Sequence, residues 1–225
     1  MRGLAAALAL GLFATEALPQ TPPNASQIAR YDGLFRAAHQ GDLAEIERLI
    51  AAGADLNMRD RSGRTPAHVA AFASNDAALT LLAAAGADMN ALDGRAYDIV
   101  TIAAVADDPA LMSLALQLGN RPDLVTSPYD GTALIAAAHL GHAEVVRRLI
   151  AAGAPLDHVN NLGWTALIEA VILGDGGPAH IETVRALVLA GADRDIADRQ
   201  GMTPLMHARA NGYGEIAALI ATPPG

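Results

Sequence analysis

Hydrophobic and polar residues fall in blocks along this chain. Apolar side chains recur at three- and four-residue spacing in segments such as Val145, Val146, Leu149 and Ile150, the period of a helix with one buried face. Ahead of such segments lie others rich in alanine, with Ala70 and Ala71 as one example. These predict helices that approach their neighbours closely. Polar stretches such as Asp55 to Gly63 separate the helix pairs and predict projecting hairpin turns. The N-terminus differs, because Gly3 to Ala14 is apolar throughout.

The blocks repeat. Leu49-Ile-Ala-Ala-Gly-Ala54 recurs unchanged as Leu149-Ile-Ala-Ala-Gly-Ala154, and weaker copies place glycines at 86, 119 and 191. Gly53, Gly86, Gly119, Gly153 and Gly191 are thus spaced by 33, 33, 34 and 38 residues, a period that signals a stacked repeat architecture. A second phrase lies upstream of the glycines: Thr65-Pro-Ala-His-Val-Ala-Ala71, Thr132-Ala-Leu-Ile-Ala-Ala-Ala138, Thr165-Ala-Leu-Ile-Glu-Ala-Val171 and Thr203-Pro-Leu-Met-His-Ala-Arg209. Thr65 and Thr203 suit helix N-caps, Pro66 and Pro204 suit a first helical turn, and the recurring glycines suit left-handed C-caps. In this register the chain resembles the ankyrin repeat family, whose signature is Thr-Pro-Leu-His-x-Ala. The resemblance covers roughly residues 31 to 221. It implies an all-α repeat solenoid of about six repeats including caps, with helix-turn-helix pairs joined by β-hairpin-like loops.

Two copies depart from the pattern. Asp98-Ile-Val-Thr-Ile-Ala-Ala104 replaces the signature in the third repeat, which ends irregularly and is followed by a longer loop from Asn120 to Asp130. Asp98 remains able to cap. In the fifth repeat Asp175-Gly-Gly-Pro-Ala179 is inserted between the two helices, which accounts for the 38-residue interval. The insertion either meets a partner as a raised lip of the groove or only fills space.

The leader adds a second segment type. Met1-Arg2, the apolar run and the small residues around Thr15-Glu16-Ala17 have the layout of a secretory signal peptide over residues 1–17. The run is shorter than the ~20 residues that span a bilayer. Residues 18–29, with Pro19, Pro22 and Pro23, read as a linker, and residues 30–222 as the repeat domain. The chain has no Cys, which is compatible with export. Its resemblance to small exported bacterial ankyrin proteins implies a periplasmic or secreted monomer that binds another protein. Such relatives include immunity proteins that neutralise a toxin or enzyme.

Composition removes several other functions. A net charge of −9 argues against nucleic acid, which needs a basic face. All 15 basic residues are Arg. The seven His residues lack a zinc-ligand pattern, so neither metal nor cofactor is expected. Gly174-Asp-Gly-Gly-Pro-Ala-His180 lacks the Lys and Ser/Thr of a phosphate loop, and no hydrolase elbow is present, which argues against an enzyme.

By resemblance, a partner meets the hairpin tips and the ends of the inner helices. The tips supply Arg59, Arg61, Arg64, Tyr97, Tyr129, Trp164 and Met202; the helix ends supply His39, Phe72, His139, Ile172 and Leu173. Trp, Tyr and Arg are the residues enriched at binding hot spots. Two readings stay open for Trp164, a partner contact or lateral packing on the next hairpin. The arginines of the first tip either face an acidic partner or are neutralised by Asp55 and Asp60.

Overall fold

The computed structural model describes residues 21–222; the expected signal segment lies outside them. A single helical turn, α1 (Ala25–Ile28), precedes six helix pairs. These are α2 (Gly33–Gln40) with α3 (Leu43–Ala51), α4 (Pro66–Phe72) with α5 (Asp76–Ala84), and α6 (Ile99–Val105) with α7 (Pro109–Gln117). The β1 (Val125–Thr126) and β2 (Gly131–Thr132) strands form the hairpin before α8 (Ala133–Leu140) and α9 (Ala143–Ala151). The last pairs are α10 (Ala166–Ile172) with α11 (Pro178–Leu189) and α12 (Pro204–Ala210) with α13 (Gly214–Ala221). The even-numbered helices stack as an inner layer and the odd-numbered ones from α3 onward as an outer layer. This is an all-α repeat solenoid.

The inner helices are seven or eight residues long, too short to persist alone in water. Capping and stacking hold them. The side chains of Thr65, Thr132, Thr165 and Thr203 accept hydrogen bonds from the amides of His68, Ile135, Ile168 and Met206. Asp98 does the same for Thr101 at 2.8 Å, as its position implies. It is buried, which pushes its carboxyl above the usual carboxylate range despite two hydrogen bonds from Thr101. His68 completes its cap by binding Thr65 through Nδ1 and reaches the Tyr97 carbonyl through Nε2 at 3.1 Å. Burial lowers its pKa, which favours the neutral ring.

Small side chains set the layer spacing. Ala37, Ala38, Ala70, Ala71, Ala103, Ala104, Ala137, Ala138 and Ala170 are all buried between inner helices and the outer layer. The outer helices supply the bulk, with Ile46, Leu79, Leu82, Met112, Leu149, Leu187 and Ile216 buried. Four of the five junctions also carry a polar staple from the start of an outer helix to a carbonyl of the preceding repeat, the exception being that before the third pair, where Asp108 caps its own helix. Asn75 donates to the Ala38 and His39 carbonyls, at 3.0 and 2.7 Å. His142 Nδ1 meets the Ala104 carbonyl at 2.8 Å, and His180 Nε2 the His139 carbonyl at 3.0 Å. Tyr213 donates its hydroxyl to the Gly174 carbonyl at 2.9 Å.

The third repeat is irregular as its sequence suggests. Outer helices α5 and α7 pack less closely than the other neighbouring outer pairs. Its following loop is an antiparallel hairpin, with Val125 opposite Thr132 and Thr126 opposite Gly131. Buried Asn120 donates to the Met89 carbonyl, and the hydroxyls of Thr101 and buried Thr126 meet at 2.9 Å. Residues 21–29, read as linker, include α1 and are tied to the solenoid. Gln27 donates to Ser62 at 3.1 Å, and Pro23 is buried.

The turn between paired helices needs a left-handed residue. Gly41, Gly141 and Gly212 fill it with φ of +68°, +75° and +74°. Ser74 and Asp107 occupy the same place at +55° and +50°, where a Cβ is strained by ~1–2 kcal/mol. Ser74→Gly relieves this, less the extra entropy of the unfolded chain, and should stabilise the protein by about 0.5–1 kcal/mol. At Gly141 a Cβ would lie 3.2 Å from the His180 ring, so Gly141→Ala should destabilise by more than ~1 kcal/mol. Thermal unfolding checks both, and opposite shifts of the midpoint are the expected result.

Candidate functional site

An acidic or amide side chain closes four of the hairpin tips. Asp60 Oδ1 accepts from the Ser62 and Arg64 amides at 2.8 and 3.0 Å, while the Asp60 amide donates to the Arg64 carbonyl at 2.9 Å. Asp93, Asn160 and Asp198 repeat this arrangement with Tyr97, Trp164 and Met202. Ser127 substitutes at the third tip, where its hydroxyl accepts from the Tyr129 and Gly131 amides. Neighbouring tips are joined by Gly94 to Ser62, Ser127 to Ala96 and Asn161 to Tyr129 amide-to-carbonyl bonds of 2.8–2.9 Å. The tips are therefore a fixed rail, and the side chains on it are pre-oriented.

The candidate tip residues divide sharply in exposure. Arg61 is exposed, and Tyr129, Trp164 and Met202 are half-buried. Arg64 and Tyr97, expected to project, are instead buried at 2% and 7% relative exposure. Arg64 turns inward because Asp60 Oδ2 lies 2.9 Å from its Nε and Ser62 Oγ lies 3.1 Å from its Nη2. Burial opposes ionisation of Asp60, but the Arg64 and Ser62 amides and the Arg64 charge hold its carboxyl below the usual range. Tyr31 donates to the same carboxylate at 3.0 Å, and burial pushes the Tyr31 phenol up to about 12. Arg59 is exposed and bridges two tips by donating to the Gly63 and Leu92 carbonyls. The first tip is neutralised internally at Arg64, by Asp60 and not by Asp55.

On the inner helices His39, Phe72, His139, Ile172 and Leu173 are half-buried along one row. A residue absent from the candidates joins this row to the tips. Glu169 is 5% exposed; its Oε1 accepts from Asn160 Nδ2 at 2.7 Å and its Oε2 lies 3.5 Å from His139 Nδ1. Asn160 in turn holds the Trp164 amide at 3.0 Å. The helix position is visible in sequence as a carboxylate where other copies have Val69, Ile102 and Ala136. Its partner nine residues upstream is not. The last repeat shows a related pair, His207 Nε2 to Asp198 Oδ2 at 2.7 Å. Burial opposes ionisation of Asp198, but the Met202 amide, His207 and the Gln200 amide hold its carboxyl low.

The insertion is folded rather than raised as a free lip. Pro178 and Ala179 lengthen α11, which runs twelve residues against nine in α9. Asp175 Oδ1 accepts from the Gly177 amide at 2.8 Å and meets His180 Nδ1 at 3.0 Å. Hydrogen bonds from the Gly177 amide and His180 hold the Asp175 carboxyl low. Gly176 lies so close to Tyr213 that a Cβ would sit 2.4 Å from its ring.

Besides Leu43, Leu189 and Met206 on other helices, the large exposed apolar side chains lie on or beside the third and fourth tips. Val125, Val159 and Leu162 are 47%, 45% and 37% exposed, and Leu140 at the end of α8 is 41% exposed. With Tyr129 and Trp164 they make this stretch the most apolar part of the rail.

Residues 100–195 match a family model described as ankyrin repeats (3 copies), and residues 34–83 match one described as ankyrin repeats (many copies). The ankyrin repeat protein YahD of Escherichia coli (strain K12) is 35% identical over 143 residues, 63% of this chain and 70% of that protein. A solved ankyrin repeat domain from Acinetobacter baumannii AYE is 42% identical, with a TM-score of 0.77 over 83% of this chain and 95% of that one. The structure of a Bdellovibrio bacteriovorus predatory endopeptidase in complex with an immunity protein contains a chain of like fold. It is 23% identical, with a TM-score of 0.69 over 85% of this chain and 97% of that chain.

Glu169 supports the site from beneath. Glu169→Ala leaves the buried Asn160 amide group without its acceptor and should cost about 2 kcal/mol of stability. Glu169→Gln keeps an acceptor of the same shape and should cost less than half of that. Chemical denaturation of the two variants measures the difference, and equal losses would remove the hydrogen bond from the account.

Proposed function

Because the chain belongs to the ankyrin repeat family, we propose that it is a non-enzymatic protein-binding module of the bacterial periplasm. Its partner surface runs from Tyr129 and Trp164 on the third and fourth tips to His139, Ile172 and Leu173 at the ends of the inner helices. The observation that carries this reading is the exposed apolar group Val125, Val159 and Leu162, set around Tyr129 and Trp164 on a hydrogen-bonded rail. Exposed apolar surface on a soluble fold marks an interaction site. A rail held by backbone and Asx bonds needs little ordering on association, so less of the contact energy is spent. Export is supported by the layout of residues 1–17 and by the absence of Cys. A narrower reading is an immunity protein that inhibits one toxin or enzyme. The family resemblance raises it, and co-expression with the toxic product of an adjacent gene separates it from a general adaptor.

Affinity capture from a periplasmic extract with the mature chain identifies a partner, and Trp164 then tests the surface. Trp164→Ala should weaken binding by ~2 kcal/mol or more with little change in thermal stability, since its backbone bonds to Asn160 remain. Unchanged affinity, or a collapse of the unfolding midpoint, would return Trp164 to a packing role. Fractionation of cells that express the full chain should place it outside the cytoplasm in a form shortened at the N-terminus. Recovery only in the cytoplasm at full length would sink the export reading.

A further inference from the structure

We propose that Arg64 and Arg95, on the first two tips, form a binding site for an acidic, extended segment of a protein partner, covered in the free chain by its own residues 21–31. The proposal rests on the protein-binding reading and concerns the opposite end of the rail from Trp164. Arg64 Nη1 donates to the Thr21 carbonyl at 3.4 Å, and Arg95 Nη1 donates to the Thr21 hydroxyl at 3.3 Å. Two arginines from adjacent repeats therefore converge on one residue of an extended segment. Gln27 adds its bond to Ser62, and Tyr31 its bond to Asp60.

The acceptors that Thr21 offers are neutral, and both contacts are longer than the 2.7–3.2 Å usual for N–H···O bonds. A carboxylate binds guanidinium at a shorter distance and about twice as strongly. The surroundings favour that exchange. Arg59 and Arg61 flank the pair, and Asp60 takes the Nε of Arg64 while Nη1 faces Thr21, so a second acceptor can meet Arg64 without breaking its ion pair. The segment is also cheap to lift. Its helix α1 is a four-residue turn with no buried residue, and Thr21, Asn24, Ala25 and Ser26 are exposed, leaving Pro23 as the one buried residue of 21–30, features of a region that opens at low cost. An acidic peptide laid along the rail would take over both arginines and displace the segment.

The test uses the full chain and a labelled octapeptide of alternating Asp and Glu, with its Asn/Gln counterpart as control, read by fluorescence anisotropy. The acidic peptide should bind, weaken as salt is added, and bind about 10-fold more weakly to Arg95→Ala, an exposed position whose loss spares the fold. Thr21→Ala combined with Gln27→Ala should tighten binding about 3-fold, because the competing segment is held less often. Trypsin cleavage after Arg30 should quicken when the peptide is bound. The inference fails if the acidic peptide binds neither the native chain nor the Thr21/Gln27 variant, if Arg95→Ala binds it equally, or if the neutral peptide matches it. Trp164→Ala should not change peptide binding. Failure here alongside Trp164-dependent capture of a partner would overturn this site and leave the wider protein-binding reading standing.

Discussion

The close approach of alanine-faced inner helices is the contact on which the rest of the molecule depends. Seven-residue helices do not persist in isolation, and here each is stable because its neighbours cover it. A side chain larger than alanine at Ala70, Ala103 or Ala137 would push the layers apart and break the staples that Asn75 and His142 make to the preceding repeat. The same spacing fixes the rail, since adjacent tips can share amide-to-carbonyl bonds only while the helices beneath them remain in step.

What can be read from sequence follows from this dependence. The Thr caps, the Asp98 cap and the left-handed glycines are local features whose partners lie within a few residues, and each is found where its residue type requires it. The irregular third repeat and the insertion are visible as breaks in the period. Arg64 and Glu169 are not legible in the same way. Arg64 is drawn inward by Asp60, Ser62 and a segment more than 40 residues upstream. Glu169 is buried because Asn160, on the tip, faces the helix nine residues later. A repeat pattern specifies the scaffold on which side chains stand, while their exposure depends on contacts particular to each copy.

The insertion shows how such differences are absorbed. Five added residues do not project as a loop, because two of them extend α11 and the remainder are fixed between His180 and Tyr213. Those two residues also make the staples at the junctions on either side. The insertion is thus part of the stacking interface, and a partner that reached it would meet a rigid corner.

The rail divides into two halves of unlike chemistry. Its first two tips carry Arg59, Arg61, Arg64 and Arg95 and are covered by the protein's own N-terminal segment through polar contacts. Its third and fourth tips are apolar, with exposed Val125, Val159 and Leu162 beside half-buried Tyr129 and Trp164. An apolar surface gains most of its binding energy from contact area, whereas a charged one sets orientation and encounter rate. A partner that engaged both halves would have its direction along the solenoid specified, because reversing it would place acidic groups over the apolar tips. The fixed spacing of the rail makes that distinction possible, since a flexible chain carrying the same residues could reorder them around either orientation.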